Sequence, residues 1–421
     1  MDVIDHTAAV LRAFDIEPKP LDRIIESYNR RHRELSSRAR RIVAEAAFGV
    51  LRWRRKLDGW LSMQGIARPD NRVRAALFLL WASPDFEHRL DLGGLSRAFG
   101  VEPPRESSMP KNFPGGVAAF NSFPDFLYDM MRKGRGANEA AALASSLNSQ
   151  ATPSLRINAL KAGRGEAAAG LAAEGVATSP APLSPYGLLL EKRAHVEGTA
   201  AYRRGLVEIQ DEASQLSLIA ADPRPGETVL DACAGAGGKT IMAAMLMENR
   251  GRIVASDIDS AKLKELARRA SRAGAACIEA MGSGALCRRT DLKGKADLVI
   301  IDAPCSGTGT LRRAPDLKWR ISSSDIERMR LLQMELLIKY SDFVRPGGRI
   351  AYITCSILDV ENERVIEEFA KGKKLEVMNA AASFDRHGVN PERIVTPEGY
   401  FKTDPRGGMR DGFFTAVIGG F

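Results

Sequence analysis

The C-terminal half of this chain is expected to form an α/β fold built on a doubly wound parallel sheet. An all-helical segment and a small α+β insert precede it. Three observations carry that expectation. From Pro225 onward, short apolar runs alternate with amphipathic stretches at β-α-β spacing. The first of those runs opens into a glycine-rich turn, Gly235-Ala236-Gly237-Gly238. The first hundred or so residues read as helices throughout.

Composition sets the outer bounds. A length of 421 residues suggests about two or three domains and a core that needs no staples. Hydrophobic content of 44% with 27% charged residues excludes disordered, collagen-like and coiled-coil chains. Lys and Arg number 61 against 52 Asp and Glu, a net +9 that favours a polyanionic partner. Five cysteines occur without a Cys-x-x-Cys pair, which argues against a disulfide framework or a zinc site. None of His6, His32, His88, His195 or His387 stands at ligand spacing from Cys305 or Cys355, so no metal is expected. The start, Met-Asp-Val-Ile-Asp, is acidic and unlike a signal peptide, and the apolar run Ala75–Ala82 is too short to span a bilayer. A cytoplasmic monomer with no membrane partner is expected.

Taken in order, the elements begin with a basic stretch. Arg30 to Lys56 holds ten Lys/Arg against Glu34 and Glu45, with Ile42, Ala46, Ala47, Val50 and Leu51 at helical spacing. This reads as an amphipathic helix with a solvated basic face, in which Arg38, Arg41 and Arg52 would meet nucleic-acid phosphates. Pro103, Pro104, Pro110, Pro114 and Pro124 then mark Val101–Phe126 as a connecting segment. A helical run follows from Phe126 to Leu147. Strand-like pieces at 155–160, 187–191 and 205–210, with a helix near 166–173, make the insert. Asp211 caps a helix that runs to Ala221. In the last part, strands are expected at 228–232, 252–256, 296–301, 349–354 and 413–418, and helices at 239–249, 260–273, 325–344 and 359–370. The domains are expected at 1–147, 148–215 and 216–421.

The chemistry lies at the ends of those strands. Val229-Leu230-Asp231 runs into Ala232-Cys233-Ala234-Gly235-Ala236-Gly237-Gly238-Lys239-Thr240. Such a turn lets backbone donors approach a nucleotide-like ligand at a helix N-terminus. A phosphate-binding P-loop would need glycine where Cys233 stands, although Asp302 mimics the acid that holds magnesium in such ATPases. A dinucleotide fingerprint lacks its last glycine. The pattern suits S-adenosylmethionine instead. Asp257, 26 residues after Asp231, ends the second strand, where an acid can accept both ribose hydroxyls, and Asp259 suits the N-cap role.

Cys305 in Asp302-Ala303-Pro304-Cys305-Ser306-Gly307 and Cys355 in Thr354-Cys355-Ser356 each follow a strand. If those strands are neighbours, both thiols face one crevice beside the glycine loop. Carbon 5 of cytosine is too poor a nucleophile to take a sulfonium methyl directly, and a thiolate adding at carbon 6 makes it reactive. Asp302 would hold the base, and Lys239 would favour a thiolate. Cys277 and Cys287 read as inert buried residues, and Cys233 as loop packing near the cofactor.

These residues resemble the Sun/RsmB-type RNA 5-methylcytosine methyltransferases. The resemblance rests on Asp-Ala-Pro-Cys-Ser-Gly and Thr-Cys-Ser, in that order, after Cys-Ala-x-x-Gly-Gly-Lys-Thr. It extends to Arg156-Ile157-Asn158, Gly205 to Ser214 and Asp411-Gly412-Phe413-Phe414. The basic front end resembles the NusB-like RNA-binding domain of the bacterial ribosomal RNA members. The resemblance implies a Rossmann-like, S-adenosylmethionine-dependent methyltransferase domain acting on RNA, ribosomal RNA foremost. It implies that Cys355 attacks carbon 6 and Cys305 assists release. Cys233 to Lys239, Asp257 and Asp302 would bind the cofactor. The family loop reads Cys-Ala-Ala-Pro-Gly-Gly-Lys-Thr, and here Gly235-Ala236 replace Ala-Pro. The family's acid after strand three has no counterpart in Met281-Gly282-Ser283-Gly284, with Asp291 lying later. A transfer RNA cytosine methyltransferase, a P-loop-like ATPase and a non-catalytic RNA-binding assembly factor are the competing functions.

Overall fold

Apolar periodicity and capping residues build the first unit. The computed structural model describes residues 3–82, 91–104, 110, 112–406 and 410–421, so His88 and part of the proline-rich segment lie outside the described residues. Two units emerge, Met1–Gln150 with Leu311–Ser323, and Ala151–Thr310 with Ser324–Phe421. In the first, helices Val3–Ile16, Leu21–Arg31, Ser37–Met63 and Asn71–Trp81 enclose a core that includes Phe14, Val50, Leu57 and Leu77. Ser36 and Asp70 accept the first free N–H groups of the third and fourth of these helices. No helix among the described residues is long and apolar enough to cross a membrane.

The apolar stripe Ile42, Ala46, Ala47, Val50 and Leu51 is buried. The single solvated basic face is not found. Arg30, Arg31, Arg33, Arg38 and Arg41 are exposed. The helix then kinks at Trp53 (φ −116°, ψ 18°). Beyond its middle the charges are internal. Arg52 donates to the carbonyls of Asn148, Ser149 and Arg312 at 3.4, 3.1 and 2.9 Å. Arg54 pairs with Asp15 at 2.8 Å and Arg55 with Asp125 at 2.6 Å. Lys56 is buried among aromatic rings. A charge count along a helix cannot separate the two halves, because neighbouring elements decide which face is covered.

Two other readings are corrected here. The proline-rich segment is not merely a connection, since Val101, Phe113, Ala118, Ala119 and Phe123 are buried in this unit. Proline interrupts helices but leaves the apolar residues between free to pack. The helical run to Leu147 is two helices, Asp125–Arg135 and Ala137–Leu147, broken at Gly136 (φ +84°). The segment Leu311–Ser323 joins this unit through Lys318, whose Nζ donates to Arg52 O and Asn148 Oδ1, both at 2.9 Å. Trp319 Nε1 also donates to Leu51 O at 2.7 Å.

The second unit carries two sheets. The smaller is antiparallel and consists of β1 (Ser154–Ile157), β2 (Thr178–Pro180), β3 (Gly187–Leu190) and β4 (Val207–Ile209), in the order β2-β3-β1-β4. The larger contains β5 (Thr228–Asp231), β6 (Arg252–Asp257), β7 (Ile278–Gly282), β8 (Ala296–Asp302), β9 (Val344–Thr354), β10 (Glu376–Met378), β11 (Phe401–Thr403) and β12 (Phe413–Gly419). Its order is β10-β12-β9-β8-β5-β6-β7, with β11 also paired to β12. The five strands from β7 to β9 in that order run parallel, and β10, β11 and β12 are joined by antiparallel pairings. This is a Rossmann-like doubly wound sheet, with one apolar cluster on each face. Its order reverses between β5 and β8, so a crevice opens outside the carboxyl ends of those strands.

Candidate active site

The glycine loop is shaped by β5 and the helix Gly238–Leu246 that follows it. Gly235 and Gly237 have φ of +53° and +85°. A Cβ on Gly237 would lie 2.7 Å from Leu266 Cγ, whereas one on Gly235 would meet nothing within 4 Å. Packing thus demands glycine at position 237, while position 235 faces open space. No described side chain caps Gly238–Leu246, which leaves its first N–H groups for an anionic ligand group. Asp257 accepts from the N–H of Gly235 and of Asp259, both at 2.8 Å. Asp259 caps the helix Ser260–Ala273. Each Asp257 oxygen keeps a lone pair for a hydroxyl donor.

β8 and β9 are neighbours, with Asp302 beside Ile353 in register. That register brings Cys305 Sγ and Cys355 Sγ to 3.3 Å. Gly309 makes this closure possible, since its N–H donates to Cys355 O at 2.9 Å and a Cβ there would lie 1.9 Å from Gly412 O. Beside the thiols, Lys239 Nζ donates to Asp302 Oδ2 at 2.8 Å. Burial works against the Lys239 charge, but the Asp302 carboxylate outweighs it and the ammonium pKa is raised. Negative charge at the Cys355 and Asp231 positions adds to that effect. Cys305 is pushed well above the usual thiol range by its hydrogen bond to Cys355, by burial and by Cys355 and Glu361 charge. Cys305 therefore holds its proton. Burial also raises Cys233, with help from Asp231, Asp302 and Asp257, so this residue stays a thiol.

Glu361 was not among the expected residues, yet it ties both cysteine segments together. It is fully buried. Its carboxylate accepts from Ser306 N at 2.8 Å, from Ser356 Oγ at 2.6 Å, from Gln333 Nε2 at 3.1 Å and from Ser306 Oγ. Thr308 Oγ1 lies 3.1 Å from Ser356 Oγ and closes the network. Nothing local in Leu358-Asp359-Val360-Glu361 marks that glutamate, because its partners are gathered from the end of β8, the end of β9 and the helix Ser323–Ser341.

Asp231 was likewise not among the expected site residues. It is buried beneath the loop, accepts from Thr240 Oγ1 at 2.7 Å, and burial pushes its carboxyl up to about 7. Asp291 is exposed and pairs with Arg289 at 2.7 Å. Cys277 is half-buried against the core, but Cys287 is exposed, against the expectation of burial. No group of three or more His, Cys, Asp or Glu placed to hold a metal occurs among the described residues.

Comparison with known proteins narrows the chemistry. Residues 218–418 match the family described as 16S rRNA methyltransferase RsmB/F, and residues 123–197 match the ferredoxin-like domain of RsmF/B-like methyltransferases. The chain is 38% identical over 216 residues to the probable ribosomal RNA small subunit methyltransferase B of Bacillus subtilis, covering 51% of this chain and 48% of that protein. It is 36% identical over 252 residues to the probable ribosomal RNA small subunit methyltransferase B of Synechocystis, covering 59% and 56%. The matches thus span about half the length of these curated relatives. The crystal structure of PH0851 superposes with a TM-score of 0.78 at 25% identity, over 99% of this chain and 98% of that one.

Proposed function

We propose, from the premise that this chain belongs to the RsmB/F methyltransferase family, that it methylates carbon 5 of a cytosine in RNA, with small-subunit ribosomal RNA as the substrate. The observation that carries this reading is the pair of thiols 3.3 Å apart at adjoining strand ends, beside the Lys239–Asp302 pair. The open turn at Gly235, the uncapped helix start and Asp257 suit S-adenosylmethionine. Cys233, Ala234, Gly235, Ala236, Gly237, Gly238 and Lys239 would line it, with Asp257 at the ribose and Asp302 toward the reacting base. The cofactor supplies an electrophilic methyl group.

In this reading the Cys355 thiolate adds to carbon 6, forming a sulfur–carbon bond and moving an electron pair toward carbon 5. As the sulfur adds, the ring nitrogen takes a proton from water and Asp302 accepts that N–H, while Lys239 steadies the thiolate before attack. After carbon 5 has accepted the methyl group it gives its proton to water, the freed pair restores the carbon 5–carbon 6 double bond, and the sulfur–carbon bond breaks with its electron pair returning to Cys355. Cys305 assists that release. The raised Cys305, held as a thiol by its hydrogen bond to Cys355, by burial and by the Glu361 charge, supports the assignment. The base must leave its stack to reach such a crevice. In the same reading a cytoplasmic monomer uses segment 1–147 as a NusB-like RNA-binding front and 148–215 as a second RNA contact, with 216–421 performing the transfer.

The test uses a small-subunit ribosomal RNA transcript, tritiated cofactor and a denaturing gel. Cys355→Ala abolishes both methyl transfer and the protein–RNA adduct, whereas Cys305→Ala accumulates an adduct that fails to resolve. The opposite pattern reverses the roles, and turnover by the double variant removes the mechanism. A transfer RNA transcript run in parallel separates the two RNA classes. ATP bound in place of the cofactor would favour the P-loop reading.

A further inference from the structure

Arg156-Ile157-Asn158 and the stretch after Gly205 carry no thiol chemistry, yet the fold gives them an exacting task. Arg156, on β1 of the small sheet, is 1% exposed. Its Nη1 donates to Gln210 Oε1 at 2.6 Å and to Gly238 O, in the glycine loop, at 2.9 Å. From the other side Arg269, on the helix Ser260–Ala273, donates from Nη1 to Ala236 O at 2.7 Å. Its Nη2 is held by Glu208 Oε2 at 3.0 Å. Glu208, on β4, is 2% exposed and also binds Arg272. Asn158 completes the attachment, its Nδ2 donating to Gly205 O at 2.9 Å and Ala273 O at 2.8 Å.

Two guanidinium groups therefore grip two carbonyls of one short loop. Each is anchored to a residue of the small sheet or of the turn that follows it. The gripped peptides include Ala236, at the very place where this chain has Gly235-Ala236 instead of Ala-Pro. Proline would stiffen the loop by fixing its own torsion. Glycine instead widens the range of conformations that binding must suppress.

We propose that Arg156 and Arg269 are positioning residues that brace the glycine loop for the cofactor, and that the small sheet thereby tunes cofactor affinity. The inference rests on the reading that the loop binds S-adenosylmethionine. A charge-assisted hydrogen bond holds its acceptor in place more firmly than a neutral one. Its loss lets the loop carbonyl rotate and turns the aligned N–H groups away from the ligand.

The test is calorimetric titration of the full chain with S-adenosylhomocysteine, together with hydrogen exchange of the amides from 233 to 239. Arg269→Met weakens binding about tenfold and speeds exchange, while kcat at saturating cofactor stays within about threefold. Arg269→Lys recovers part of the affinity. Arg156→Met acts in the same direction and more strongly. Should its burial prevent folding, the partly exposed Arg269 position carries the test alone. Wild-type affinity and exchange in Arg269→Met overturn the brace. Failure of the unaltered protein to bind the ligand instead overturns the cofactor reading on which the brace depends.

Discussion

Lys56 in the first unit is buried and the Lys239 side chain in the second is only 11% exposed, and the surroundings treat them in opposite ways. Lys239 has a carboxylate 2.8 Å away, so its charge is reinforced in spite of burial. Lys56 has rings instead: its Nζ lies 3.8 Å from the centroid of Phe120, and 5.0, 4.9 and 5.3 Å from those of Trp53, Trp60 and Trp81. Burial pushes it down to about 8. Ring faces attract a cation but do not replace its lost hydration. The lesson is that burial alone does not mark a candidate site lysine. A partner able to compensate its charge, at the end of a strand that opens on a crevice, does.

The largest expected effect separates the two. Lys239→Met leaves Asp302 without its cation and removes positive charge from beside Cys355, so kcat falls by about 10²–10³. Lys56→Met leaves kcat within about twofold. Steady-state methyl transfer on one RNA measures both, and equal losses would dissolve the distinction. A smaller effect concerns stability. The Lys56 pKa is about 8 in the folded chain against 10.5 for an ordinary solvated lysine, so between those values the unfolded state binds more protons. Stability of the first unit therefore rises with pH across that window, with a slope approaching about 1.4 kcal/mol per pH unit, and Lys56→Met removes this contribution. All four tryptophans, Trp53, Trp60, Trp81 and Trp319, belong to this unit, so urea titrations followed by tryptophan fluorescence report it selectively. A wild-type midpoint that stays flat or falls from pH 8 to 10 would refute the assignment.

The same contrast explains what could be read from residues alone. The strands that frame the crevice were legible because each is an apolar run closed by an acid: β5 at Asp231, β6 at Asp257, β8 at Asp302. The helix Ser260–Ala273 lies where its capping Asp259 and terminal Gly274 place it. The strands β2, β7, β10 and β11 were not, because they are short and several are half-exposed, so little alternation distinguishes them from loop. The thiols could be named, but their meeting depended on β8 and β9 being neighbours, which is a property of sheet order. Arg156, Arg269 and, apart from Ser356, Glu361 act through partners 28 to 82 residues away, and no local spacing encodes such a set.

The basic helix repeats that lesson in the first unit, and it supplies the smallest predicted effect. Of the three arginines expected to meet phosphates, Arg52 spends its donors on the carbonyls of Asn148, Ser149 and Arg312. Arg38 and Arg41 are exposed, the latter sharing a surface pair with Glu45 at 3.2 Å. A surface pair of that kind is readily exchanged for a phosphate. Reversal of Arg38 and Arg41 to Glu should weaken RNA binding several-fold at low salt and flatten the log–log salt slope by about 2, while leaving the tryptophan-detected midpoint unchanged. Arg52→Glu should instead lower that midpoint, because it strips three carbonyls of their donor and introduces an acid among them. An unchanged salt slope in the double reversal would exclude phosphate contact by the front half of the helix. A lowered midpoint there would show that these two arginines, like Arg52, serve the fold.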